Sequence, residues 1–61
     1  GLGDWRAVYD GHHKLVLSRE EGTLLFDLHQ DPWEDRDEAS GNPHIVTRLR
    51  AALAQEVPEW T

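Results

Sequence analysis

The side chains with the widest chemical repertoire in this sequence are four histidines, His12, His13, His29 and His44, and twelve carboxylates. Imidazole nitrogens bind transition metals and carry protons near neutral pH, so adjacent histidines are the natural place to look for a site. His12 and His13 directly follow the dipeptide Asp10-Gly11. On an extended strand, neighbouring side chains point to opposite faces, which makes consecutive histidines a poor chelating pair. Nothing in the sequence brings His29 to them. There is no cysteine, hence no thiolate ligand and no disulfide. The expectation is solvent-facing turn histidines and no metal or other cofactor held by this chain.

The acids gather between Asp31 and Glu38. That run lacks the alternating acid spacing and central glycine of a helix-loop-helix calcium motif, so it reads as a solvated loop. Trp5, Trp33 and Trp60 have the surface to stack on a sugar, although tryptophans more commonly cap a small core or sit at an interface. Arg48 and Arg50 read as surface charges of a helix.

Three strands and one helix must position these residues. Trp5-Arg6-Ala7-Val8-Tyr9 is rich in strand formers and runs into Asp10-Gly11, a dipeptide suited to a tight hairpin turn. His13 to Ser18 forms a second strand, Arg19-Glu20-Glu21-Gly22 a longer turn, and Thr23 to Leu28 a third strand. Residues 29–41 hold five acids and Pro32 and read as a loop. Asn42 suits a helix N-cap, Pro43 the first helical position, and Val57-Pro58 the end. Within that helix Ile45, Val46, Leu49, Ala52 and Leu53 recur at helical spacing, with Arg48, Arg50 and Gln55 outside the stripe. The predicted fold is α+β: a small antiparallel sheet of three strands, with a fourth short strand allowed, under one C-terminal helix. All 61 residues read as one small domain, with strands over about 5–28 and the helix over about 43–57.

Alternation along the third strand places Leu24, Phe26 and Leu28 on one face and Leu25 and Asp27 on the other. The helix is expected on the Leu24, Phe26 and Leu28 face, where Phe26 would meet Leu49. Val16 and Leu25 are then left as an apolar patch on the uncovered face, through which an excised chain would self-associate.

Six Lys and Arg against twelve Asp and Glu give a net charge of −6, which repels phosphate backbones and anionic lipid. No stretch approaches the roughly 20 apolar residues of a membrane span, and Gly1-Leu2-Gly3-Asp4 lacks the basic and apolar regions of a signal peptide. Neither nucleic acid nor membrane is an expected partner, and nothing assigns a compartment.

Lys14-Leu15, then Leu25-Phe26-Asp27-Leu28, then Asp31-Pro32-Trp33-Glu34, then a Pro43-led amphipathic helix, follow one another in an order that resembles the tail of type I sulfatases. In that family, part of the alkaline-phosphatase-like superfamily, a "YKL" strand precedes an "LYDLxxDPxExxNL" segment and a final helix. The resemblance runs from about Trp5 to Leu53. Two departures stand out: Asp37-Glu38 replaces the usual Asn-Leu, so that the apolar plug of that leucine is either lost or supplied by Ala39, and Trp33 replaces a more usual glycine.

The resemblance implies a non-catalytic subdomain that packs beside the catalytic domain of a sulfuric ester hydrolase, shaping its substrate cleft or assembly. Catalysis in that family uses calcium and a formylglycine made within a Cys/Ser-x-Pro-x-Arg motif. Ser18 and Ser40, the only serines, are not followed by that pattern. No catalytic, metal or substrate residue is carried over. Lys14, Leu25, Phe26, Asp27, Leu28, Asp31, Pro32 and Glu34 are carried over as structural motif residues only. Independently of any family, proline after Asp31 holds that residue extended, so that its carboxylate can accept local N–H groups, with Glu34 a second acceptor. A free-standing protein-interaction module and the tail of a related phosphonate or phosphate monoester hydrolase are the alternative readings.

Overall fold

A computed structural model of the chain describes residues 5–56. Strands β1 (Trp5–Tyr9), β2 (His13–Ser18) and β3 (Gly22–Asp27) are followed by helix α1 (Pro43–Glu56). The strands form one antiparallel sheet in the order β1-β2-β3, so the architecture is the expected α+β meander with a C-terminal helix. Val57-Pro58 and Trp60 lie outside the described residues.

Both turns rest on a glycine with positive φ, 97° at Gly11 and 80° at Gly22, a conformation that a side chain would strain. Polar side chains complete them. The Asp10 carboxylate accepts the N–H groups of His12 and His13, and Ser18 Oγ accepts those of Glu20 and Glu21. At the head of α1, the Asn42 carbonyl accepts the Val46 N–H and its side-chain amide donates to the Glu38 carbonyl, which fixes Asn42 at the cap.

The register decides which face the helix covers. Leu15 stands opposite both Val8 and Leu25, so these three share a face with Leu17. That face carries α1: Leu15, Leu17, Leu25, Leu49 and Leu53 form the buried core, with Val8, Ala39, Ile45 and Val46 packed against it. The expectation of a helix on the Leu24, Phe26 and Leu28 face is therefore corrected. So is the exposed patch at Leu25, which is 0% exposed. Phe26 points away from the Leu49 cluster, and Val16, opposite Leu24, lies on the Phe26 side. On the central strand the α1 face carries two leucines, Leu15 and Leu17, against one valine, Val16, on the other, and the helix packs where those leucines and Leu25 are contiguous. Ala52, assigned to the helix stripe, is exposed at its margin.

After β3 the chain returns along that strand's outer edge. The Leu25 N–H donates to Asp37 Oδ1 at 2.9 Å and the Leu25 carbonyl accepts the Glu38 N–H at 2.7 Å, which caps the edge at that residue. The same return brings Ala39 against the core.

Candidate functional site

Two of the residues that carry the resemblance, Lys14 and Glu34, meet in space. Lys14 Nζ lies 3.1 Å from Glu34 Oε2 and 3.3 Å from Oε1, joining the "KL" strand to the Asp-Pro-Trp-Glu turn. Lys14 is the cross-strand neighbour of Phe26, so this bridge passes over β3 on the face away from α1, where Phe26 is only 8% exposed. Asp31 does what its place before Pro32 suggests: its carboxylate accepts the N–H groups of Asp35 at 3.0 Å and Arg36 at 2.9 Å, and its carbonyl accepts that of Glu34. Glu34 is not a second acceptor for the loop backbone. It sits at φ 57°, the only non-glycine with positive φ among the described residues, and turns its carboxylate to Lys14 instead. Leu28 anchors the exit of β3 by donating its N–H to the His12 carbonyl at 2.9 Å.

Asp27 closes a second turn. Its Oδ1 accepts the N–H groups of His29 at 3.0 Å and Gln30 at 3.3 Å, as well as His12 Nε2 at 3.0 Å. Partial burial raises the affinity of this carboxyl for its proton; the Gln30 N–H, the His12 ring and the His29 N–H outweigh that and hold it below the ordinary carboxylate range.

Around Asp27 three histidines gather. The His12 ring stacks on His13 with centroids 4.1 Å apart and on His29 at 4.3 Å. His13 Nε2 is 4.0 Å from Asp27 Oδ2. His29 Nε2 lies 3.0 Å from the Gly11 carbonyl, which only accepts, so that nitrogen carries a hydrogen. The opposite-face argument fails here because His12 belongs to the turn and only His13 begins β2. No pattern in the sequence pointed to His29 as a third member.

On the other side of the same turn, the Asp10 carboxylate receives the His13 N–H at 2.7 Å, the His12 N–H at 2.8 Å and Arg48 Nη2 at 2.8 Å. The His13 N–H, then the His12 N–H, pull its proton affinity far below the ordinary range against partial burial, and Arg48 adds to them. A carboxyl whose folded value lies below its unfolded one contributes stability that is fully present above about pH 4 and is lost as the pH falls through the folded value. The urea midpoint should therefore drop more steeply from about pH 4 to about pH 2 in the unmodified chain than in Asp10→Asn. Parallel pH curves for the two proteins would contradict this account.

Two surfaces remain. A groove between α1 and the outer edge of β3 is lined by Ala39, Val46, Ala51 and Ala54, with Arg50 bonded to Thr23 Oγ1 and Asp37 to the Leu25 and Ala39 N–H groups. The sheet face opposite α1 is apolar and open: Trp5 and Tyr9 are each 56% exposed, beside half-buried Ala7, Val16 and Leu24. Trp33, on the following loop, is 80% exposed. No helix among the described residues is long and apolar enough to cross a membrane. No family model matches the chain, and neither a curated protein nor a solved structure matches it.

Proposed function

We propose that this chain is the non-catalytic C-terminal subdomain of a type I sulfatase, and that it docks on its catalytic domain through the sheet face opposite α1. The observation that carries the reading is that open face. A two-layer α+β unit normally leaves its outer sheet face polar, whereas here Trp5, Ala7, Tyr9, Val16 and Leu24 present apolar surface that α1 does not cover. A second layer of protein on that face would complete the sandwich. The Lys14–Glu34 bridge supports the family assignment, because it gives the separated "KL" and Asp-Pro-x-Glu elements one shared structural task.

Sequencing the gene for several hundred codons upstream of Gly1 tests this reading. A Cys/Ser-x-Pro-x-Arg motif followed by an uninterrupted frame is the expected result. An in-frame start close to Gly1 with no such motif would overturn it.

A second reading, a free-standing interaction module, is favoured by one observation: Leu25 is sealed by the chain's own helix, and among the described residues no buried side-chain polar atom lacks a partner. The core is closed without a neighbour. The two readings share the same docking face and differ in what covers it.

A further inference from the structure

We propose that His12, His13 and Asp27 form a site for a divalent transition-metal ion of the zinc type at the β1–β2 turn. The ligand atoms of the three side chains all lie within 4.8 Å of one another. Zinc bonds to imidazole nitrogen and carboxylate oxygen at about 2.0–2.2 Å, so two ligands of a tetrahedral ion stand roughly 3.3 Å apart. His12 Nε2 lies 3.0 Å from Asp27 Oδ1 and His13 Nε2 lies 4.0 Å from Asp27 Oδ2, both near that edge length. Binding requires the His12 and His13 rings, now stacked 4.1 Å apart, to swing apart until both Nε2 atoms aim at one ion.

The two oxygens of Asp27 divide the work. Oδ1 already accepts from His12, His29 and Gln30, which fixes the carboxylate, whereas Oδ2 faces only the His13 ring. An ion bound to Oδ2, His13 Nε2 and His12 Nε2 takes the place of the hydrogen that His12 now directs at Asp27, and the neutral His12 ring then carries its hydrogen on Nδ1. The carboxylate remains oriented by the two backbone N–H groups, the usual support of a ligand by its surroundings. His29 is stacked on His12 and tied to the Gly11 carbonyl, which places a third imidazole beside the site. The site opens outward, since the His12 side chain is 47% exposed while those of His13 and Asp27 are 13% exposed, which leaves a coordination position for water or a group from another chain.

Two imidazoles and one carboxylate suit zinc, copper or nickel better than calcium or magnesium, which prefer all-oxygen shells. The ion would clamp the β1–β2 turn to the exit of β3, joining residues fourteen or more positions apart in the chain, from His13 to Asp27.

The test uses the full chain freed of metal by chelator, titrated with zinc chloride in a calorimeter and with cobalt chloride in a spectrophotometer. One equivalent of zinc should bind, and at about 100 times the dissociation constant the thermal midpoint should rise by about 20 °C. Cobalt should give the visible bands of a four-coordinate ion in place of the pale spectrum of its aquo form. His13→Gln and Asp27→Asn should each weaken zinc binding by about 10–100-fold or more, while His44→Gln, on the exposed helix surface, leaves it unchanged. Asparagine keeps an acceptor oxygen for the turn, and circular dichroism reports whether each variant folds. Should either variant unfold, the cobalt spectrum of the unmodified chain decides. Absence of binding to that chain, or binding that the His13→Gln and Asp27→Asn double variant retains, overturns the proposal.

Discussion

Leu25→Lys should unfold this chain in water at 25 °C, whereas Leu24→Lys should leave it folded. Leu25 is 0% exposed, opposite Leu15 and beneath α1, with no acid in the leucine cluster to receive an ammonium group. Desolvating an unpaired charge costs several kcal/mol even after relaxation. A chain of 61 residues has a total stability of only about 3–9 kcal/mol at ordinary values per residue. At position 24 the side chain faces the open side and is half-buried, so a lysine can lay its stem on the sheet and keep its charge in water, at a cost within about 1 kcal/mol. Far-ultraviolet circular dichroism separates the two outcomes. The opposite ranking would mean that the helix lies on the other face.

Leu49→Ala should cost about 2–5 kcal/mol, a large share of that total. Leu49 is 2% exposed and belongs to the cluster that includes Leu15, Leu17, Leu25 and Leu53. Membership of the cluster is testable by coupling. Combined with Leu15→Val, the loss should depart from the sum of the single effects by at least about 0.5 kcal/mol, while combined with Phe26→Leu it should be additive within about that amount. Urea denaturation of the single and double variants supplies the numbers. Coupling of Leu49 to Phe26 instead would contradict the register described here.

Local signals read directly from the sequence give the elements. Strand formers between Trp5 and Tyr9, glycines at 11 and 22, and Asn42-Pro43 at the head of the helix each act through short-range sterics or hydrogen bonding, so their positions agree with the structure to within a residue. The face of the sheet was not legible from β3 alone. Both of its faces carry leucine or phenylalanine, and the choice is made by β2, where Leu15 and Leu17 outweigh Val16, together with a pairing that sets Leu15 opposite Leu25. A turn read as Arg19 to Gly22 pairs Ser18 with Thr23 and Val16 with Leu25; in the structure Gly22 already pairs with Ser18, and that one-residue shift sets Leu15 opposite Leu25.

The histidine cluster was less legible still. Period-two alternation applies only within a strand, and His12 escapes it by lying in the turn that Asp10 folds. His29 arrives because Asp27 caps its own turn after β3, a contact between segments fifteen residues apart that no periodicity encodes. In the acidic loop the same logic worked for Asp31, whose bonds are local, and failed for Glu34, whose partner Lys14 lies on a different strand. The Trp5 and Trp33 rings are exposed, as a stacking or docking surface requires.

The claim that organises these observations is that the face bearing Trp5, Tyr9, Val16 and Leu24 is a docking face. Sedimentation velocity of the isolated chain across a wide concentration range tests it most directly. Because the net charge of −6 opposes association, the series is run at low salt and again near 0.5 M, where screening shortens the reach of that repulsion to about 3–5 Å. The account predicts reversible self-association that strengthens with salt and concentration, and a return to monomer in folded Leu24→Lys. A chain that stays monomeric at the highest concentration in high salt, or association that Leu24→Lys does not reduce, would contradict it.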